Sequence, residues 1–389
     1  MSKHTIKFYP VDNGDTTLIS LKDKTTILVD CKIRAGKETA SGNKIYDIKS
    51  DLIDSLEKRD QNYFLDLFIL THPDQDHCQG FDTHFYTGKP SSYTSSNRDN
   101  DEIIIDEMWI TSMLFDDVSN DDAKAFKKEA ERRRKLWEND DEDKNVAGNR
   151  IRMVGYNGDK KYESVPNITP GNFISEINGK EKKDFEFFVH GPFKESLITS
   201  NAVSDKNSSS IIMQARFKNN ATDKDWACYY LFGGDADHYR WEKVLEKSKA
   251  NDHEEELKWD IFQTPHHCSW TFFNNTPYKE NTTAKKTSLE ILDYQLKGAR
   301  VIASSKAIKN NEDNPPHYSA RKEYLKKVSE SDFIELAKNP REKEPKPYIF
   351  EITPQGPRKK ETTNNSAATS AGGAASAVSQ KSQYGSEFT

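Results

Sequence analysis

Cysteine is scarce in this chain: there are four in 389 residues, at positions 31, 78, 228 and 268, with no paired spacing that would build a disulfide framework. That scarcity points to a reducing, cytoplasmic compartment rather than to a stapled secreted fold. Long apolar runs are missing as well. No stretch approaches the roughly 18 to 20 apolar residues a membrane span needs, and Met1 to Asp12 has no apolar signal-peptide core. Hydrophobic residues make up 34% of the chain and charged ones 31%, so a core must be ringed by long solvated excursions. Positive charge is in deficit. The net charge of −6 gives no global attraction for nucleic acid, which leaves any such contact to local basic patches and bound cations. No internal repeat is visible.

What the chain does have is a dense cluster of metal-ligand residue types. Phe64 to Leu70 is apolar apart from Asp66 and reads as a buried strand, and it ends in Thr71-His72-Pro73-Asp74-Gln75-Asp76-His77. Imidazole and carboxylate are ligands for Zn²⁺, Mn²⁺ and Fe²⁺. A tight turn after the strand would offer His72 and Asp74 to one ion and Asp76 and His77 to another. Two ions about 3.5 to 4 Å apart polarise a substrate oxygen and activate a water. The plainer alternative is a polar loop whose aspartates cap the next helix and whose histidines sit in water.

Three later segments favour the metal reading. Tyr229 to Phe232 is strand-like and ends in Gly233-Gly234-Asp235, where glycines allow a close turn and the carboxylate is placed to bridge two ions. Trp259 to Gln263 is strand-like and delivers Pro265-His266-His267. Asn314-Pro315-Pro316-His317 precedes a helix-like stretch from Ser319 to Val328. Each segment alone has a structural explanation; their order gives the joint signal its strength.

This succession, His-Pro-Asp-x-Asp-His, then Gly-Asp, then Pro-His-His-x-Ser, then Pro-His before a helix, resembles the metallo-β-lactamase fold superfamily. Within it the chain is most similar to the soluble hydrolase domain of ComEC-type competence proteins, which act in DNA uptake. The opening Val11-Asp12-Asn13-Gly14-Asp15, the segment Ile27-Leu28-Val29-Asp30 and Asn207-Ser208-Ser209-Ser210-Ile211-Ile212 add to the likeness, which spans about residues 4 to 353. The resemblance implies a four-layer αββα sandwich and two divalent metal ions, Zn or Mn. It places His72 and Asp74 at the first ion, Asp76 and His77 at the second, and Asp235 between them. One of His266 and His267 completes the second site; His267 is favoured as ligand, with His266 touching substrate phosphate and His317 a second candidate for stabilising charge or protonating the leaving group. Asp76, His266 and His317 are thus the expected catalytic residues. The additional first-metal histidine common among relatives has no match; Asn207, Asp205 and His190 are the substitutes on offer. Cys268 stands where the family has glycine, and Cys78 and Cys268 read either as soft zinc ligands or as buried space-fillers.

The fold class is therefore α/β, with one hydrolase domain over residues 1–356 and a Ser-, Ala-, Gly-, Thr- and Asn-rich disordered tail over 357–389. Residues 115–184 read as a charged insertion: a helix from Asp121 to Glu138, then loop from Asn149 to Ile177. Its Arg132-Arg133-Arg134-Lys135 cluster is either a phosphate-tracking arm or a solvated face balanced by Glu138 to Asp143. Helices are expected over Tyr46 to Arg59, Asp237 to Ser248 and Thr287 to Lys297. The expected activity is metal-dependent hydrolysis, foremost of a phosphodiester in a nucleic acid or nucleotide, because the nearest-looking subgroup acts on DNA and Asp74 tilts preference toward harder ions such as Mn²⁺. No membrane partner is expected. A protein partner that controls activity fits an effector of a multi-protein system such as bacterial defence. The rival readings are a hydrolase of another small molecule and a binding subunit on the same scaffold.

Overall fold

The computed structural model describes residues 3–155, 158, 160–198 and 206–360. Its strands gather into a ten-stranded and a seven-stranded sheet, with a separate two-stranded ribbon. In the larger sheet Thr5–Phe8, Thr17–Ser20 and Thr26–Val29 pair antiparallel, and Thr26–Val29, Asn62–Ile69, Ile104–Ile110 and Arg150–Val154 then run parallel. In the smaller sheet Phe185–Gly191, Ile212–Phe217 and Cys228–Phe232 are antiparallel, whereas Cys228–Phe232, Trp259–Gln263 and Gln295–Ala303 are parallel.

The apolar pattern explains how these sheets are covered. One core cluster draws residues from both sheets, among them Ile6, Ile27, Leu67 and Trp109 from the first and Phe187, Met213, Tyr230 and Ile261 from the second. Strand neighbours that point the other way feed two further clusters. Phe68 and Met108 pack with Phe81 and Phe126, which bring the helix Asp121–Glu138 onto the first sheet. Leu231 and Phe262 pack with Trp241, Val244 and Ile291, from the helices His238–Ala250 and Lys286–Asp293. Central strands buried on both faces need near-continuous apolar runs, which is what Phe64–Leu70 and Trp259–Phe262 supply.

The helix expected over Asp121 to Glu138 is present with those bounds, its N-terminus capped by the Asn120 side chain accepting from the Ala123 N–H. Other boundaries move. The helix expected from Thr287 to Lys297 stops at Asp293 because Gln295 already pairs in the sheet. The helix expected from Tyr46 to Arg59 is confined to Ile48–Ser55, and Glu57–Arg59 folds back on Asn62–Phe64 as a hairpin. The stretch 149–177, expected as loop, is corrected: Arg150–Val154 and Asn167–Ile168 extend the first sheet, and Phe173–Ile174 joins the second. The 115–184 segment is thus partly built into the sheets rather than inserted between them. The tail boundary at 356 also moves, since Gly356–Lys359 pairs antiparallel with Tyr348–Thr353. The remainder of the expected tail, 361–389, lies outside the described residues. Among the described residues no helix is long and apolar enough to cross a membrane.

Candidate metal centre

Strand ends converge on one spot. Asp30 follows Thr26–Val29, and Thr71 and His72 follow the parallel neighbour Asn62–Ile69; Asp235 follows Cys228–Phe232, and His266 and His267 follow its parallel neighbour Trp259–Gln263. The carboxyl ends of parallel strands are where open α/β sheets ordinarily place their ligands. Here the ends from both sheets meet.

The polar-loop alternative fails on two counts. Asp74 occupies the N-cap position of the short helix Gln75–Cys78 but makes no capping bond, and His72 and His77 are buried rather than solvated. Their Nε2 atoms turn instead to Asp235, whose two oxygens face different sets of donors. Asp235 Oδ1 lies 3.0 Å from His77 Nε2 and 3.4 Å from His267 Nε2, and Asp76 Oδ2 is 3.2 Å from that same His267 nitrogen. Asp235 Oδ2 lies 3.6 Å from His72 Nε2 and 3.5 Å from His266 Nε2, with Asp74 Oδ2 3.7 Å from His72 Nε2. Despite these approaches, the Nε2 atoms of His72, His77 and His267 and the Oδ1 of Asp235 are buried without a hydrogen-bond partner. Buried polar atoms are seldom left so. A cluster of them aimed at common points is the arrangement a cation satisfies.

The other edge of each imidazole explains the aim. His77 Nδ1 lies 2.7 Å from Asp30 Oδ2, and His267 Nδ1 lies 3.1 Å from the Ser304 carbonyl. His72 Nδ1 is 3.1 Å from Thr71 Oγ1, whose hydrogen is donated to Asp30, so the hydroxyl accepts from the ring. His266 Nδ1 is likewise 3.2 Å from Thr271 Oγ1, which donates onward to Ser269. The rings of His72, His77 and His266 therefore hold a hydrogen on Nδ1 and turn Nε2 inward, the outer-shell pattern that orients metal-binding histidines, whereas His267 Nδ1 lies 3.1 Å from both the Ser304 carbonyl and the Gly14 N–H, which donates to it. Asp15 belongs to the same assembly. Asp15, His77, Asp235 and His267 offer ligand atoms all within 4.8 Å of one another, and this buried group could hold a metal ion. Asp15 approaches His77 and His267 from the Nδ1 edge, at 3.9 and 3.7 Å.

Charge follows from this packing. Burial opposes a proton on His77, but Asp235 and Asp30 outweigh it and hold the ring well above its ordinary value. Burial likewise opposes the proton on His267, which Asp235, Asp15 and Asp76 lift to about 10. His72 moves the other way, to about 3, through burial and the neighbouring His77 cation. Asp235 stays ionised against the cost of burial because His267, His77, His266 and His72 surround it.

The backbone is bent to achieve this. His266, His267 and Cys268 take φ values of 48°, 54° and 66°, three left-handed residues in succession without a glycine. Such a run is costly for L-residues, and it presents adjacent histidines to opposite oxygens of one carboxylate. Gly234, at φ +49°, is needed for space as well: a Cβ there would lie 2.6 Å from Thr71 Oγ1.

Of the residues singled out in the sequence, His72, Asp74, Asp76, His77, Asp235, His266 and His267 are brought together. His317 makes none of these ion pairs; its ring packs near Trp270 and Tyr278, and its backbone N–H donates to the Cys268 carbonyl. His190 makes none of these contacts, its Nε2 lying 2.9 Å from the Glu256 carbonyl, and Asp205 lies outside the described residues. Cys78 and Cys268 are buried in apolar clusters on the outer faces of the sheets, which fits the space-filling reading. In the basic cluster Arg132 and Arg133 bind Glu129, Arg134 binds Glu131 and Glu138, and Lys135 is exposed. Asp15, Asp30, Thr271 and Ser304 received no role from the sequence; the first two had stood out only as part of the opening motif.

No protein-family model matches the chain, and no curated protein matches it in sequence.

Proposed function

We propose that this chain is a metal-dependent phosphodiesterase built on a four-layer αββα sandwich of the metallo-β-lactamase type. The observation that carries the reading is the divided surrounding of Asp235: one oxygen toward His77, His267 and Asp76, the other toward His72, His266 and Asp74. Two sheets sharing an inner core, with helices on both outer faces, support the architecture.

The donor set fits two divalent ions. Nitrogen and carboxylate oxygen suit Zn²⁺ and Mn²⁺, and the oxygen share from Asp74, Asp76 and Asp235 favours Mn²⁺. When bound, such ions supply positive charge for the phosphoryl oxygens and lower the pKa of an attacking water. The protein's own groups do the rest. Asp235 separates and aligns the two donor sets, and the Nδ1 partners hold each ring fixed before substrate arrives, so little reorganisation accompanies reaction. Asp76, partly exposed beside His267, would complete the second donor set, and His266, the most exposed of the four rings, would be the ring most open to a substrate phosphate.

The test is elemental analysis of the chain after Mn²⁺ loading, together with hydrolysis of bis(p-nitrophenyl) phosphate. About two ions per chain and metal-dependent turnover are expected, both lost in His72→Ala combined with Asp235→Asn. Tight loading without turnover of this diester would sink the phosphodiesterase reading and leave a metal-binding scaffold.

A further inference from the structure

A cavity of about 570 Å³ lies on the outer side of the smaller sheet, between the strand Phe185–Gly191 and the last turns of the helix His238–Ala250. That helix starts three residues after Asp235, and its turn at Lys247 and Ser248, which lines the cavity, is about 14 Å further along the axis at roughly 1.5 Å per residue. No residue of the cavity belongs to the metal donor set.

Its lining joins an apolar floor to a few polar groups, which is how sites for small molecules are built. Phe188 and Val244 are buried there and Phe193 is half-buried. The Phe188 ring is flanked by those of His190 and His253, with centroids 4.8 and 5.0 Å away. His190 is 3% exposed. Its Nε2 lies 2.9 Å from the Glu256 carbonyl, which can only accept, so the hydrogen sits on Nε2 and Nδ1 carries a lone pair. Burial keeps this ring neutral, pulling its pKa down to about 4. Among the described residues nothing donates to that Nδ1, and the Oγ of Ser248, a residue 4% exposed, has no hydrogen-bond partner either. Buried polar side chains are seldom left so. An N–H or O–H on a ligand would satisfy the nitrogen. Lys194 and Lys247 line the same cavity, exposed and without an ion-pair partner among the described residues, against a single carboxylate, Glu195.

We infer that this cavity binds a small aromatic anion, its flat body against Phe188 and Val244, its N–H or O–H group donating to His190 Nδ1, and its acidic group held by Lys194 and Lys247. The site stands independently of the phosphodiesterase reading, since neither the metals nor their ligands take part. The volume falls within the roughly 300 to 1,000 Å³ of such sites. The two lysines supply a local positive charge that the chain, at −6 overall, lacks as a whole. An inorganic anion would leave the apolar floor uncovered, and a neutral aromatic would leave the lysines unmatched.

The probe is anilinonaphthalene sulfonate, which carries a flat body, an N–H and one negative charge, with phenylnaphthylamine as its neutral counterpart. Fluorescence titrations compare the full-length parent with Lys194→Gln/Lys247→Gln; both lysines are exposed, and an equal urea midpoint in the two proteins checks folding. The expected result is saturable uptake of about one sulfonate probe per chain by the parent, binding at least tenfold weaker in the variant, and equal, weaker binding of the neutral probe by both. His190→Phe keeps a ring in place and removes the acceptor, so it should weaken both probes. A sulfonate probe held equally by the parent and the lysine variant, or taken up without saturation, would overturn the site. Affinity should be the same in EDTA and after Mn²⁺ loading; binding that arises only with Mn²⁺ would put the probe at the metal centre and overturn the assignment as well.

Discussion

Replacing Asp235 by Asn preserves the size of the side chain and removes the charge on which four imidazoles converge. Burial opposes a proton on His267, yet the surrounding carboxylates, Asp235 foremost, raise its pKa to about 10. Moving an imidazolium from its ordinary value of about 6.5 to that level corresponds to roughly 5 kcal/mol of favourable interaction. Asp235 carries the largest share. Because the folded value lies above the unfolded one, this stabilisation is complete below about pH 6.5 and is lost as the pH climbs through about 10. After exhaustive chelation, Asp235→Asn should therefore be less stable than the parent by roughly 2 to 4 kcal/mol near pH 6.5, with the gap closing toward pH 10. Urea denaturation at a series of pH values measures both quantities. Adding Mn²⁺ at one hundred times its Kd should stabilise the parent by about 2.7 kcal/mol and the variant not at all. A variant as stable as the parent at pH 6.5, and equally stabilised by Mn²⁺, would refute the central place given to this carboxylate.

Other outcomes follow from the same geometry. Asp30→Asn weakens the hold on His77 Nδ1, now 2.7 Å from the carboxylate, and should lower Mn²⁺ affinity by about 10- to 100-fold in a chelator competition while leaving the fold intact. Gly234→Ala would drive a Cβ to 2.6 Å from Thr71 Oγ1 at a left-handed position, so urea denaturation should record a loss of about 2 to 3 kcal/mol. Metal loading must displace the protons that His77 and His267 hold at neutral pH. Calorimetry in buffers of different ionisation heat should thus register proton release, and affinity should rise with pH up to about 10; a buffer-independent heat would contradict this.

Apart from Asp15, the donor residues of the centre were legible because each stands at the end of an apolar run, where residue type and position together restrict the chemistry. Their orienting partners were not. Asp30 and His77 are 47 residues apart, and a contact over that separation leaves no local pattern to read. The roles of His266 and His267 could not be separated in sequence, since adjacent side chains normally diverge; only the left-handed backbone through Cys268 sends both to Asp235. The helix Asp121–Glu138 was clear from its spacing, but the fate of its arginines depended on which glutamates lay one turn away and on carbonyls of Ile105 and Arg150, which Arg133 reaches across the sheet. Strands as short as Asn167–Ile168 and Phe173–Ile174 carry no periodicity, which is why the stretch containing them read as loop.

The origin of the ligands in both sheets makes the centre a mechanical joint. His72 and His77 belong to the larger sheet, Asp235 and His267 to the smaller, and without a cation the two sides are joined by the ion pair of Asp235 with His77, 3.0 Å apart. Loading that joint with metal adds ligand bonds from both sheets and clamps the two halves of the molecule more tightly in register at that rim, and stripping it leaves only the weaker, pH-dependent pair. Amide exchange at the ends of Asn62–Ile69 and Trp259–Gln263, far apart in the chain, should then rise and fall together with metal concentration, so that the occupancy of the centre becomes readable in the motion of two distant strands.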